Sequence, residues 1–181
     1  NANPCGKLAE TWPISYNDCV CKDYYGEPHK NAQYREGIYV GYRYFSTAGV
    51  EVSYPFGHGL SYTTFEVGKA KISRKSMKTD GSVTLTVPVT NTGDREGTET
   101  IQVYVKALDY AEAPIKDLRG FAKLSLKPGE SAKAEIVLDG ESFQYYDPSI
   151  DELSTKPGRY QILYGTSSLE KDLKSIDFVV K

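Results

Sequence analysis

An all-β sandwich of seven strands, preceded by an extended segment without a core of its own, is the fold class this 181-residue sequence predicts. Three observations carry it. From Thr64 onward, short apolar–polar alternations are separated by turn dipeptides, the mark of strands half-buried in a two-layer fold. Before that point the chain holds two aromatic, glycine-punctuated blocks, Tyr34-Arg-Glu-Gly-Ile-Tyr-Val-Gly-Tyr-Arg-Tyr-Phe45 and Tyr54-Pro-Phe-Gly-His-Gly-Leu-Ser-Tyr-Thr-Thr-Phe65, with no sustained helical or strand period. No stretch reads as a convincing helix, and Leu169 to Leu173 allows one short turn at most.

The leading segment contains one expected strand, Ile38 to Phe45. Ile38, Val40, Tyr42 and Tyr44 would face one way, and Tyr39, Gly41, Arg43 and Phe45 the other. Both faces are largely apolar or aromatic, as in a strand covered on two sides. Residues 1–60 cannot supply two covers, so a neighbour is missing from the segment.

The sandwich then follows strand by strand. Phe65 and Val67 share a face, and Ala70 and Ile72 continue it only across an inserted residue, which predicts a bulge near Gly68. Asp80-Gly81 turns the chain. Val83, Leu85, Val87 and Val89 alternate with Thr84, Thr86, Pro88 and Thr90; Pro88 has no N–H, so the strand needs an open or bulged side there. Asn91 to Asp94 makes the next turn, and Ile101, Val103 and Val105 line the next strand. Leu118 to Leu126 ends at Pro128-Gly129; Ala132, Ala134, Ile136 and Leu138 end at Asp139-Gly140; Phe143 to Tyr146 forms a short corner element. Tyr160, Ile162 and Tyr164 follow Pro157-Gly158, and Ile176, Phe178 and Val180 close the fold. Seven strands in about 117 residues match an immunoglobulin-like or fibronectin type III-like sandwich in size and rhythm. Its inner faces, rich in Val, Ile, Leu, Phe and Tyr, are enough for it to fold alone. The chain divides into 1–62 and 63–181.

Lysine plus arginine (22) and aspartate plus glutamate (24) are interspersed and give a net charge of −2, so there is no footprint for nucleic acid or an anionic membrane. No apolar run approaches the roughly 18–20 residues of a bilayer span. Asn1-Ala-Asn-Pro4 has neither the basic start nor the apolar stretch of a leader, which would lie upstream in a fragment, so the compartment stays open. Cys5, Cys19 and Cys21 are odd in number, and Cys19-Val-Cys21 is too tightly spaced for an ordinary zinc pair, with His29 the one histidine nearby. Unpaired thiols in a reducing compartment fit best; a pairing of Cys5 and a zinc site are the alternatives.

Eight blocks together carry a resemblance. Asn3-Pro-Cys-Gly-Lys-Leu-Ala-Glu-Thr-Trp-Pro13, Glu36-Gly-Ile-Tyr-Val-Gly-Tyr-Arg-Tyr-Phe45 and Tyr54-Pro-Phe-Gly-His-Gly-Leu-Ser-Tyr62 resemble the end of the α/β sandwich domain of family 3 glycoside hydrolases, the β-glucosidases and β-xylosidases. Val89-Thr-Asn-Thr-Gly-Asp-Arg-Glu-Gly97, Gln102-Val-Tyr-Val105, Leu118-Arg-Gly-Phe121, Leu126-Lys-Pro-Gly-Glu130 and Gly158-Arg-Tyr160 resemble the fibronectin type III-like domain of many of those enzymes. The resemblance runs in order over essentially the whole chain. It implies that residues 1–62 are an extended remnant of the α/β sandwich domain and that 63–181 are the C-terminal fibronectin type III-like domain. In the family, an aspartate nucleophile sits on a TIM-like barrel and an acid/base glutamate, in many members, on the α/β domain. No position here matches either motif, so no catalytic residue is carried over. Some members place the barrel after the fibronectin-like domain, an order this chain does not reveal.

The residues themselves offer little chemistry. A retaining glycosidase needs two carboxyls roughly 5–5.5 Å apart, and Glu36, Glu51, Asp147, Asp151 and Glu152 read as loop or structural acids. Glu36 is placed to pair with Arg35 or Arg43. His58, between two glycines, lacks a nucleophile or carboxylate in any recognisable arrangement, and Gly57-His-Gly59 lacks the lysine of a phosphate loop. No metal or cofactor site is expected. Tyr39, Tyr42, Arg43, Tyr44, Phe56 and His58 are expected to pack at a domain seam. The expected partners are the remaining catalytic domains of a longer enzyme, with this chain inert and bracing them. The rival reading is an independent carbohydrate-binding or adhesion module, with Tyr104, Tyr110, Tyr145 and Tyr146 offering faces to an oligosaccharide; Tyr145 and Tyr146 point opposite ways, so at most one is outward. A third, self-association through the exposed seam, follows from its aromatic surface.

Overall fold

The computed structural model describes residues 2–25, 34–111 and 113–181. His29 lies outside the described residues. In chain order the elements are β1 (Trp12–Pro13), α1 (Tyr42–Ala48), β2 (Val52–Tyr54), β3 (Phe65–Val67), β4 (Lys71–Ile72), β5 (Ser76–Met77), β6 (Ser82–Asn91), β7 (Gly97–Ala107), β8 (Asp117–Leu126), β9 (Ser131–Asp139), β10 (Gln144–Asp147), β11 (Glu152–Thr155), β12 (Gly158–Gly165) and β13 (Leu173–Val180).

Two sheets make the sandwich. One runs β5-β13-β12-β7-β8; in the other, β6 pairs with β9 on one side and with β3 and β4 on the other. The alternation in β6 buries Val83, Leu85, Val87 and Val89 against Ile101, Val103 and Val105 of β7, with Phe143, Tyr160 and Phe178 filling the centre. The seven expected strands are all present, the first split into β3 and β4. The short β5 and β11 are additions, and the corner element expected at Phe143–Tyr146 is a 3-10 turn, Gly140–Phe143, running into β10. Leu169–Leu173 holds one 3-10 turn, Glu170–Asp172.

The bulge near Gly68 and the gap required by Pro88 are one feature. Val67 pairs with Val89 but Lys71 with Thr86, so the β3–β4 side carries one extra residue opposite Pro88. Gly68 N–H donates to the Pro88 carbonyl at 2.8 Å, and the Tyr164 hydroxyl takes the N–H of Ala70 at 3.0 Å. The N–H groups of the bulged stretch thereby find acceptors although it is out of step with β6. Asn91 closes the same sheet's end: its amide donates to the carbonyls of Arg95 and Leu126, and its side-chain oxygen accepts from Thr63.

The leading segment departs from expectation in two respects: β1 and β2 form an antiparallel pair that was not expected, and the one expected strand is missing. Ile38 to Phe45 is not a strand; Tyr42–Ala48 is a helix. Gly37 and Gly41 take φ of 58° and 54°, which interrupts extended backbone, and Gly49 (φ 66°) ends the helix in the left-handed conformation. A helix also puts Tyr42 and Phe45 on one face, three residues apart, whereas a strand would send them to opposite sides. With one surface available to pack on, the helical arrangement buries both rings together. Among the described residues before Thr63, Phe45 is the one large apolar side chain that is buried, with 9% exposed. Among its described residues this third of the chain has no interior of its own; they form an arm laid on the sandwich.

Candidate functional site

Strand β7 is buried on both faces. Ile101, Val103 and Val105 enter the core, while Gln102 and Tyr104, on the outer face, are 3% and 0% exposed. The cover for that outer face is the arm. Phe56-Gly57 crosses above Gln102, whose amide donates to the carbonyls of Gly57 (3.2 Å) and Thr166 (2.7 Å) and whose oxygen accepts from the Tyr104 hydroxyl. Tyr42 packs tilted against Phe56 with ring centroids 4.9 Å apart and meets Tyr104 edge-on at 5.7 Å. Two-sided cover was expected of Ile38–Phe45, which is not a strand; the strand covered on both faces is β7, for which it was not expected.

Polar contacts fix the arm along its length. Asn3 bonds to Ser61, to Tyr62 N–H and to the Glu96 carbonyl. Lys7 pairs with Glu99 at 2.6 Å. Leu8 exchanges backbone bonds with Gly57 and His58. On α1, the Tyr42 hydroxyl accepts the Leu118 N–H at 2.8 Å, and Arg43 ion-pairs with the buried carboxylate of Asp117. Arg119 reaches the second oxygen of Asp117 and donates to the Gln144 carbonyl at 2.9 Å. Helix, sheet edge and hairpin thus share one charged cluster. Glu36 is not the partner of either arginine: Arg43 takes Asp117, and Arg35 lies 4.3 Å from the Tyr24 ring centroid. The bend at Gly37 and the helical turn direct Arg43 toward β8 instead.

The predicted seam residues therefore separate. Tyr42, Arg43 and Phe56 pack onto the sandwich. His58 sits 5.0 Å from the Tyr54 ring and Tyr44 edge-on to Phe45, both half-buried on the arm. Tyr39 is half-buried in the turn before α1, its N–H bonded to the Glu36 carbonyl. The residues sequence reasoning missed are Gln102, Asp117 and Gly57. The run Ile101-Gln-Val-Tyr-Val105 carried the signal, since its outward positions hold a tyrosine and an amide rather than charges.

The arm also leaves apolar side chains open to solvent. Trp12 (46% exposed) meets Tyr54 edge-on at 5.8 Å, and Ile14, Tyr16, Ile38, Val40, Leu60 and Tyr62 are exposed with them. A surface of this kind is the usual mark of an interface.

Elsewhere the chemistry is sparse. Hydrogen bonds from Lys156 and Ser149 hold the Asp147 carboxyl down at about 2, ionised at neutral pH and unfit to donate a proton. Asp151 accepts the Tyr146 hydroxyl on the same exposed hairpin. Tyr104, proposed as a sugar platform, is fully buried because the arm covers its face. Tyr110 and Tyr145 stack together against the core, and Tyr146 alone of the four faces outward. Cys5, Cys19 and Cys21 are unpaired. Among the described residues, no three His, Cys, Asp or Glu side chains are grouped to hold a metal, and no helix is long and apolar enough to cross a membrane.

Residues 99–168 match the fibronectin type III-like domain family. The xylan 1,4-β-xylosidase of Xylanibacter ruminicola is 45% identical over 175 residues, covering 96% of this chain and 18% of that protein. Thermostable β-glucosidase B of Acetivibrio thermocellus is 40% identical over 175 residues, covering 95% and 23%. The crystal structure of the GH3 β-glucosidase of Bifidobacterium adolescentis superposes with a TM-score of 0.89 at 35% identity, over 99% of this chain and 26% of that one. The chain spans about a fifth of the length of the curated relatives it matches.

Proposed function

We propose, because this chain belongs to the family 3 glycoside hydrolases as the part that carries their fibronectin type III-like domain, that it braces the catalytic domains and takes no chemical step itself. The supporting observation is the arm. It is locked to β7 and β8 through Gln102, Tyr42 and Arg43, and it also has an open side where Trp12, Ile14, Tyr16 and Tyr54 reach solvent. Residues 1–62 are then the end of an α/β domain whose body docks on that open side, and 63–181 the domain that supports it. Tyr39, Tyr44 and His58 stand on the arm where they would stiffen this seam.

The whole protein would cleave non-reducing β-linked glucose or xylose with retention, through a covalent glycosyl-enzyme intermediate. The choice of sugar lies outside this region. A named xylosidase and a named glucosidase are 45% and 40% identical to it, nearly the same distance, as expected of a support that does not touch substrate.

An assay of the purified chain on aryl β-glucosides and β-xylosides tests the catalytic half of the proposal. No release of nitrophenol is expected, and turnover that persists through purification overturns it. Titrating the chain against the separately produced remainder of its enzyme tests the bracing half: a saturable complex that raises the melting temperature of the remainder is expected.

A further inference from the structure

Where the arm meets the sandwich lies a cavity of about 260 Å³, open to solvent on one side and lined by Thr11, Tyr42, Phe45, Glu51, Lys116 and Glu170, among others. Its polar groups are short of partners. The Lys116 side chain is only 4% exposed, and the one carboxylate within reach, Glu170, stands 3.7 Å away, beyond a good hydrogen bond, with 78% of its own side chain in solvent. The Thr11 hydroxyl is buried and makes no hydrogen bond among the described residues. An ammonium with three donors is costly to bury in that condition, and a lone hydroxyl adds to the cost.

We propose that this cavity binds a neutral polyhydroxylated ring, a pyranose, between the arm and the sandwich. The lining selects that chemistry by elimination. An anion would meet Glu51 and Glu170, a cation would meet Lys116, and a purely apolar ligand would leave the ammonium and the Thr11 hydroxyl unmatched. Vicinal hydroxyls satisfy both signs at once, accepting from Lys116 and Thr11 and donating to the two carboxylates. Tyr42, Phe45, Val50 and Ile115 supply apolar wall for the C–H face of the ring. Such a ligand contacts both α1 and the segment Ile115–Lys116, so it ties the arm to the sandwich. The site stands on the cavity alone and does not require the bracing role.

Thermal unfolding of the full chain against D-glucose and D-xylose, with amide chemical shifts followed in parallel, tests it. Sugars stabilise any protein by exclusion from its surface, so the quantity read is the difference between variants. A saturable rise of about 3–5 °C at tenfold excess over the dissociation constant is expected, with shifts at Thr11, Tyr42 and Lys116. Lys116→Met keeps the volume, removes the buried charge and abolishes the saturable component. Thr11→Val, which leaves the ammonium in place, weakens binding about tenfold. Equal, non-saturating rises in all three proteins, or saturable binding undiminished in Lys116→Met, overturn the proposal.

Discussion

The side-chain amide of Gln102 donates to the carbonyl of Gly57 at 3.2 Å, and a side chain at Gly57 would have to displace that amide. A Cβ on Gly57 would lie 2.1 Å from Oε1 of Gln102, and its φ of 80° disfavours any other residue. Gly57→Ala is expected to cost about 2 kcal/mol or more, from backbone strain and overpacking together. Gln102→Ala leaves the carbonyls of Gly57 and Thr166 and the Tyr104 hydroxyl without their partner, at about 2 kcal/mol. Because the second change removes what the first collides with, the double variant should lose clearly less than the sum. Denaturant melts of the four proteins measure this; strict additivity would show that the two residues do not meet.

The sandwich was legible because its signals are local. Alternation in Val83–Val89 and the facing shift at Ala70 follow from the pleat of a single strand, and both hold. The arm was not legible in the same way. Ile38–Phe45 has apolar residues on both strand faces and also at helical spacing, and only the surface beneath it decides between them. That surface is Gln102 and Tyr104, more than fifty residues along the chain. Arg43 likewise found Asp117 rather than the nearby Glu36, since partners across a seam are not ordered by sequence distance.

Arg43 and Asp117 hold α1 to the edge strand β8. The Asp117 side chain is 8% exposed and that of Arg43 is 37%, so the pair is half desolvated. Breaking a fully buried pair costs about 3–5 kcal/mol, and with the arginine a third in solvent about 2 kcal/mol is expected for Arg43→Ala. Arg119 remains on the second carboxylate oxygen and limits the loss. Hydrogen exchange should show α1 opening before the sandwich in this variant. Uniform loss of protection across both sheets would refute a local role.

Alkaline pH should unfold the protein through its buried phenols. Burial pushes Tyr145 up to about 12 and raises Tyr104 and Tyr160 further still. A group whose pKa is raised by folding stabilises fully below its unfolded value, near 10 for a phenol, and that contribution is lost as pH rises through the folded value. Stability should therefore be flat up to about pH 10 and fall above it. Ultraviolet titration should show a phenolate fraction that appears only with unfolding. Tyr145→Phe removes one such group, and its hydroxyl makes no hydrogen bond among the described residues, so the variant should be at least as stable as the parent chain and shallower in its alkaline decline. Smooth titration of every tyrosine in the folded state would contradict this.

Trp12 and Tyr54 form an exposed aromatic pair on the arm. Their rings meet edge-on at 5.8 Å and are 46% and 44% exposed, so they contribute little to the chain's own stability. Replacing both by serine should shift unfolding by less than about 1 kcal/mol, as for exposed sites without buried partners. The same change removes the centre of the open apolar face, and aromatic residues of this kind carry much of the energy of an interface. Binding to the remaining domains of the enzyme should weaken by roughly 2 kcal/mol or more. Light scattering separates docking from self-association. If the face merely pairs with a second copy, the serine variant loses a concentration-dependent dimer and binds the other domains as before. If it docks on the catalytic body, the heterologous complex weakens instead, while Gln102→Ala, on the far side of the arm, reduces stability first and binding only as a consequence.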